Sequence, residues 1–110
     1  MTFIQLGLRK ELLDGIDVLG FKEPTSIQSA VIPFILEDKR DLVALGQTGT
    51  GKTGAFGLPI LEKIDLQSSE TQALILCPTR ELCIQITHDI ESFSSNSGIC
   101  SLILSKENLI

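Results

Sequence analysis

Apolar side chains fall at Leu8, Leu12, Leu13, Ile16 and Leu19, in steps of four, one, three and three, the spacing of one helical face. This predicts a helix over 6–19, with Gly20 as its terminator. Thr25 or Ser26 can cap a second helix running toward Val31, and Pro33 is expected to break or restart it. Asp38-Lys39-Arg40-Asp41 reads as a polar turn. The pattern then changes. Leu42-Val43-Ala44-Leu45 is a short continuous apolar run ending at Gly46, which predicts a buried strand. A helix is expected from near Lys52 to about Ile64. Gly54 and Gly57 weaken it by about 1 kcal/mol each against alanine, and Pro59 predicts a bend or an early break. Beyond a polar loop over 67–71, Ala73-Leu74-Ile75-Leu76-Cys77 predicts a second strand and Pro78-Thr79 a turn. A helix follows over about 80–93, with Leu82, Ile86, Ile90 and Phe93 inward. Ser94 to Gly98 reads as a loop and Cys100 to Leu104 as a third strand. Strand, helix, strand, helix, strand implies an α/β domain with a parallel sheet and right-handed crossovers, preceded by N-terminal helices. The division expected is 1–40 for those helices and 41–110 for the α/β part.

The chemistry lies where the first predicted strand meets its helix. Gly46-Gln47-Thr48-Gly49-Thr50-Gly51-Lys52-Thr53 fits G-x-x-x-x-G-K-S/T without a gap. A triphosphate carries several negative charges, and backbone N–H groups can wrap it only where side chains do not obstruct, so glycines serve. A helix opening near Lys52 points its positive end at the phosphates. Lys52 brings a cation to the β and γ phosphates, and the Thr53 hydroxyl is placed to ligate Mg²⁺. Taken alone, the loop says nucleotide-binding P-loop protein and no more.

Composition narrows the class. Hydrophobic residues make up 43% and charged residues 21%, which is globular and not disordered. The net charge of −5 counts against a freestanding nucleic-acid module, which usually shows a basic patch. It leaves room for RNA contact through a few placed groups. Cys77, Cys83 and Cys100 show no C-x-x-C spacing and read as small buried or half-buried hydrophobes in a reducing compartment. The apolar runs fall far short of the roughly 18 residues that span a bilayer, and no basic start precedes an apolar block. A cytoplasmic protein without a membrane segment is expected.

Two flanking motifs carry a resemblance. Gly20-Phe21-Lys22-Glu23-Pro24-Thr25-Ser26-Ile27-Gln28 stands before the loop, and Pro78-Thr79-Arg80-Glu81-Leu82 after it. In that order they resemble the Q motif, motif I and motif Ia of DEAD-box ATP-dependent RNA helicases. Phe3, seventeen residues before Gly20, is similar to the isolated upstream aromatic of that family. The resemblance covers Phe3 to about Phe93 and implies a partial, three-layer RecA-like fold that binds ATP and Mg²⁺. It implies that Gln28 recognises adenine, that Phe21 stacks on the base with Phe3 behind, and that Pro78, Thr79 and Arg80 hold the RNA backbone. An amide side chain has the donor and acceptor such pairing needs, and an arginine forks onto phosphate. Taken alone, Gln28 reads as a solvated helix residue and Phe21 as a core residue. Glu81 is expected to cap its helix or orient Arg80, and His88 to be a solvated surface residue. Gly46 replaces the common alanine of motif I, Ser26 stands where proline is frequent, and Cys83 replaces an alanine.

No Asp-Glu pair occurs in the 110 residues, nor the serine-alanine-threonine motif, nor a second RecA-like domain with its arginine fingers. The chain is therefore expected to be the front portion of a helicase, unable by itself to hydrolyse ATP. The alternatives are a non-enzymatic nucleotide-binding remnant and a P-loop ATPase outside the helicases.

Overall fold

The computed structural model describes residues 2–37, 40–46, 49 and 51–94. Among them are a 3-10 turn, Ile4–Leu6, and four α-helices: α1 (Lys10–Val18), α2 (Ser26–Glu37), α3 (Lys52–Lys63) and α4 (Arg80–Ser94). Helix α3 packs against α2, α1 and α4, and α1 packs against α4. The core gathers Leu12 and Ile16 of α1, Ile32 of α2, Leu58 and Leu61 of α3, and Ile90 and Phe93 of α4, closed by Phe3, Leu6 and Leu8.

The predicted helices are all present, with shifted bounds. Gly7 ends the 3-10 turn at φ 93°, so α1 starts only at Lys10. Leu8 is buried all the same, from irregular backbone. At the other end, the Gly20 N–H donates to the Asp17 carbonyl and the Phe21 N–H to the Ile16 carbonyl, both at 3.0 Å. With Gly20 at φ 85°, this is a Schellman cap, and it fixes where Phe21 leaves the helix. Pro33 neither breaks nor restarts α2, and Pro59 lies buried inside an unbroken α3. Each proline deletes one backbone hydrogen bond, and packing of α2 on α3 outweighs that loss. The glycines of α3 mark close approach. A Cβ on Gly57 would stand 3.4 Å from Cγ1 of Ile90. Leu82 departs from its predicted place, being 37% exposed at the first turn of α4, whereas Ile90 and Phe93 are buried.

The three-layer arrangement with a parallel sheet is not realised among the described residues, which form no strand. Residues 41–46 and 71–77 run as irregular chain. Val43, Leu45, Leu74 and Leu76 are each at least 80% exposed. The reason is non-local. A strand exists only by pairing its backbone groups with a neighbour, whereas a helix satisfies its own. The third predicted strand, Cys100 to Leu104, and the loop before it beyond Ser94 lie outside the described residues, as do Asp38 and Lys39 of the polar turn.

Arg9 and Glu62 lock the N-terminal segment to the bundle reciprocally. The Arg9 backbone N–H donates to the Glu62 carboxylate at the start of α1. The Arg9 guanidinium donates to the Glu62 and Ile64 carbonyls at the end of α3, the latter at 3.3 Å. Its Nε lies 3.5 Å from the carboxylate, with both side chains only 23% exposed. A cation thus sits at a helix C-terminus and an anion at an N-terminus, as the two macrodipoles favour. Arg9→Ala is expected to cost about 1–3 kcal/mol, since hydrogen bonds to charged groups carry that much. Urea unfolding monitored by circular dichroism checks this, and an unchanged midpoint would count against the clamp.

Candidate functional site

The start of α2 is built by a reciprocal cap. The Gln28 N–H donates to the Thr25 hydroxyl oxygen at 3.3 Å, and the Thr25 N–H donates to Gln28 Oε1 at 3.0 Å. The Thr-x-x-Gln spacing is that of a capping box. The other end of the same amide crosses to the glycine-rich loop, where Gln28 Nε2 donates to the Gly51 carbonyl at 3.1 Å. Gln28 is therefore not a solvated helix residue. It is 3% exposed and wedged against α3.

Glycine at Gly51 and Gly54 makes room for it. A Cβ would lie 2.6 Å from Gln28 Nε2 at Gly51 and 2.7 Å at Gly54. Gly51 also takes φ 85° as the residue before α3, a left-handed conformation that costs glycine little. Gly49 repeats it at φ 83° with open space where a Cβ would be. Lys52, exposed, and Thr53, half-buried, open α3. Gly46 is half-buried at the end of the preceding segment, and Gln47, Thr48 and Thr50 lie outside the described residues.

An open cleft of about 380 Å³ lies between the two motifs, lined by Phe21, Thr25, Gln28, Gly49 and Gly51 together with Gly20, Lys22 and Glu23. That volume suits a small ligand. Phe21 is half-buried. Its ring stacks near Phe3, with centroids 6.4 Å apart, and meets Phe93 edge-on at 5.9 Å. The ring is thus braced from two sides and still lines the cleft, so core packing and a place on the cleft wall coexist. Lys22 and Glu23 also line it, and only their place beside Phe21 in sequence could have pointed to them.

Pro78, Thr79 and Arg80 are all exposed, where the irregular segment meets α4. Thr79 caps that helix, its Oγ1 accepting the Leu82 N–H at 3.2 Å. The cap is therefore Thr79 and not Glu81, which adds a negative charge in the first turn. The Thr79 hydroxyl keeps its own proton to donate. His88 is exposed, as expected of a surface residue. Cys77 and Cys83 are half-buried and free, and Cys100 lies outside the described residues. Burial, with the neighbouring Cys83 thiol next in order, raises the Cys77 thiol above its ordinary value. No described helix is long and apolar enough to cross a membrane.

The gapless G-x-x-x-x-G-K-T run of Gly46–Thr53, with α3 opening at Lys52 beside the cleft, is the sequence mark of the P-loop class. The comparisons with known proteins narrow this. The DEAD/DEAH box helicase family matches residues 25–109, and the chain belongs to that family. It is 48% identical over 89 residues to the DEAD-box ATP-dependent RNA helicase CshA of Geobacillus kaustophilus, covering 81% of this chain and 19% of that protein. It is 43% identical over 103 residues to the ATP-dependent rRNA helicase rrp3 of Schizosaccharomyces pombe, covering 94% of this chain and 22% of that one. Among solved structures, S. cerevisiae Dbp5 bound to RNA and ADP BeF3 superposes with TM-score 0.85 at 36% identity, over 89% of this chain and 25% of that one. A DEAD box protein from the hyperthermophile Methanococcus jannaschii gives 0.80 at 43% identity, over 84% and 25%. These neighbours are RecA-like helicase domains, and the chain spans about a fifth to a quarter of the relatives it matches.

Proposed function

We propose that these residues form the ATP-binding and RNA-contacting front part of an ATP-dependent RNA helicase. The observation that carries this reading is the Gln28 amide, buried between the Thr25 cap and Gly51, on the wall of the cleft that Phe21 and Gly49 also line. In this reading adenine enters beside Phe21 and shares the remaining hydrogen-bonding capacity of Gln28. Gly46, Gln47, Thr48, Gly49, Thr50 and Gly51 supply backbone amides to the phosphates, and Lys52 adds its charge. Thr53, in the first turn of α3, would hold Mg²⁺, whose chemistry is to neutralise charge on the phosphate oxygens. The hydroxyl is the hard donor such an ion takes.

Pro78, Thr79 and Arg80 face the RNA backbone. Thr79 donates its hydroxyl proton to phosphate while capping α4, and Arg80 forks onto phosphate without reading sequence. Residues 1–40 form the helical part with the Q motif, and 41–110 the first half of the RecA-like part. There, 41–46 and 71–77 pair as parallel strands once their sheet neighbours are present. The exposure pattern supports this, because Ile75 and Cys77 are half-buried whereas Leu74 and Leu76 are exposed. That is a period of two, with one side turned to the helices. The carboxylates that activate water belong to other residues of the whole protein, and a second RecA-like domain closes over ATP and RNA. The protein works in the cytoplasm.

Nucleotide preference tests this. The full-length protein is expected to unwind a short RNA duplex with ATP and not with GTP, and equal rates would remove the adenine assignment. Lys52→Ala is expected to weaken ATP binding roughly 10- to 100-fold, the worth of one charged hydrogen bond. Titration with a fluorescent ATP analogue reads this directly.

A further inference from the structure

Phe93 belongs to the core of the bundle, yet it also ties one wall of the nucleotide cleft to the helix that the glycine-rich loop opens. It lies at the C-terminal end of α4 and is 3% exposed. Three neighbours set its place. Its carbonyl oxygen stands 2.7 Å from where a Cβ of Gly15 in α1 would be. Its ring carbons Cδ2 and Cε2 stand 3.7 Å from where a Cβ of Gly57 in α3 would be. The ring then meets Phe21 with centroids 5.9 Å apart and planes at 66°. Phe21 itself follows the cap of α1, where its backbone N–H donates to the Ile16 carbonyl at 3.0 Å. That bond fixes where the chain runs and leaves the ring its own two torsions. The aromatic rings that meet it are Phe93 on the edge and Phe3, whose plane lies within 28° of its own.

We propose that Phe93 is a positioning residue for the nucleotide base. It holds the Phe21 ring at a fixed tilt and a fixed place relative to α3, so a purine meets a stacking surface already in register with the phosphate loop. This rests on the reading of Phe21 as the adenine-stacking group. A side chain that the ligand must immobilise lowers affinity, whereas one ordered beforehand does not. An aliphatic residue of similar size at 93 would still fill the space beside Gly57. It would lose the edge contact that favours one tilt of the partner ring. The effect is confined to ligands that carry a base, because phosphates meet the backbone amides and Lys52 instead.

The test compares full-length Phe93→Leu with the parent in competition against a fluorescent ATP analogue. ATP is expected to bind roughly threefold more weakly, the worth of ordering one side chain. Tripolyphosphate, which has no base, is expected to keep its affinity. In a Phe21→Ala background the same substitution is expected to leave ATP binding where it is, because the ring through which Phe93 acts is gone. Phe93→Met offers a sulfur to the ring edge and is expected to lose less than leucine. It also carries the test if Phe93→Leu lacks the circular dichroism spectrum of the parent. An equal loss for ATP and tripolyphosphate, or an equal loss with and without Phe21, would make Phe93 an ordinary core residue and overturn the proposal. So would parental ATP affinity in Phe93→Leu where Phe21→Ala weakens binding. If Phe21→Ala alone binds ATP as tightly as the parent, the stacking reading fails first, and the positioning role falls with it.

Discussion

Gln28→Ala is expected to lower both the stability of the chain and its affinity for adenine nucleotides. The amide holds the start of α2 at one end and the Gly51 carbonyl at the other, at 3.0 and 3.1 Å. Truncation leaves both partners without their bond. Thr25 is exposed and recovers one from water, whereas half-buried Gly51 does so less readily. A stranded group of this kind costs about 1–3 kcal/mol, which urea unfolding resolves. Affinity falls for a second reason. The carbonyl of Gly51 and the turn behind it lose the group that fixes them, so the loop must be ordered by the ligand itself. Gln28→Glu separates the two effects. A carboxylate still accepts at the helix start, as glutamate does in a capping box, but it cannot donate to Gly51. Its stability loss is expected to be the smaller and its loss of nucleotide affinity as large. An alanine variant that binds a fluorescent ATP analogue as tightly as the parent would remove Gln28 from the site.

Gly15→Ala is expected to destabilise the bundle, against the ordinary preference of helices for alanine. The preference is worth about 1 kcal/mol. Yet a Cβ on Gly15 would stand 2.7 Å from the carbonyl oxygen of Phe93, closer than real Cβ atoms come. That oxygen belongs to the backbone of α4 and cannot rotate aside, so α1 and α4 must separate. Overpacking of this kind costs about 1–3 kcal/mol and outweighs the gain in propensity. Phe93 also braces Phe21 edge-on, so a shift of α4 reaches the cleft. Differential scanning calorimetry checks the sign, and a raised melting temperature would show that the two helices yield at no cost.

Local chemistry explains which elements are legible in the sequence. The apolar spacing of Leu12, Leu13 and Ile16 and the glycine at Gly20 mark α1 because a helix satisfies its own backbone and announces its end. The start of α4 was equally plain, since Pro78-Thr79 stops one element and caps the next. Thr25-x-x-Gln28 carried a capping box in plain view, and only its link to Gly51 required three dimensions. Pro33 and Pro59 misled because a propensity penalty is local, whereas the packing that overrides it comes from other helices. Leu42–Leu45 and Ala73–Cys77 have the composition of strands, but pairing is a property of two segments and not of one.

The wet leucines and valine of 41–46 and 71–77 have a thermodynamic consequence. Heat capacity and denaturant sensitivity on unfolding both scale with the area newly exposed to water. These segments already show theirs, with Leu45 at 91% and Leu76 at 85%. Held in this form, the polypeptide would melt over a wide temperature span with a shallow slope against urea, and it would gain a sharp transition only when those ribbons are covered.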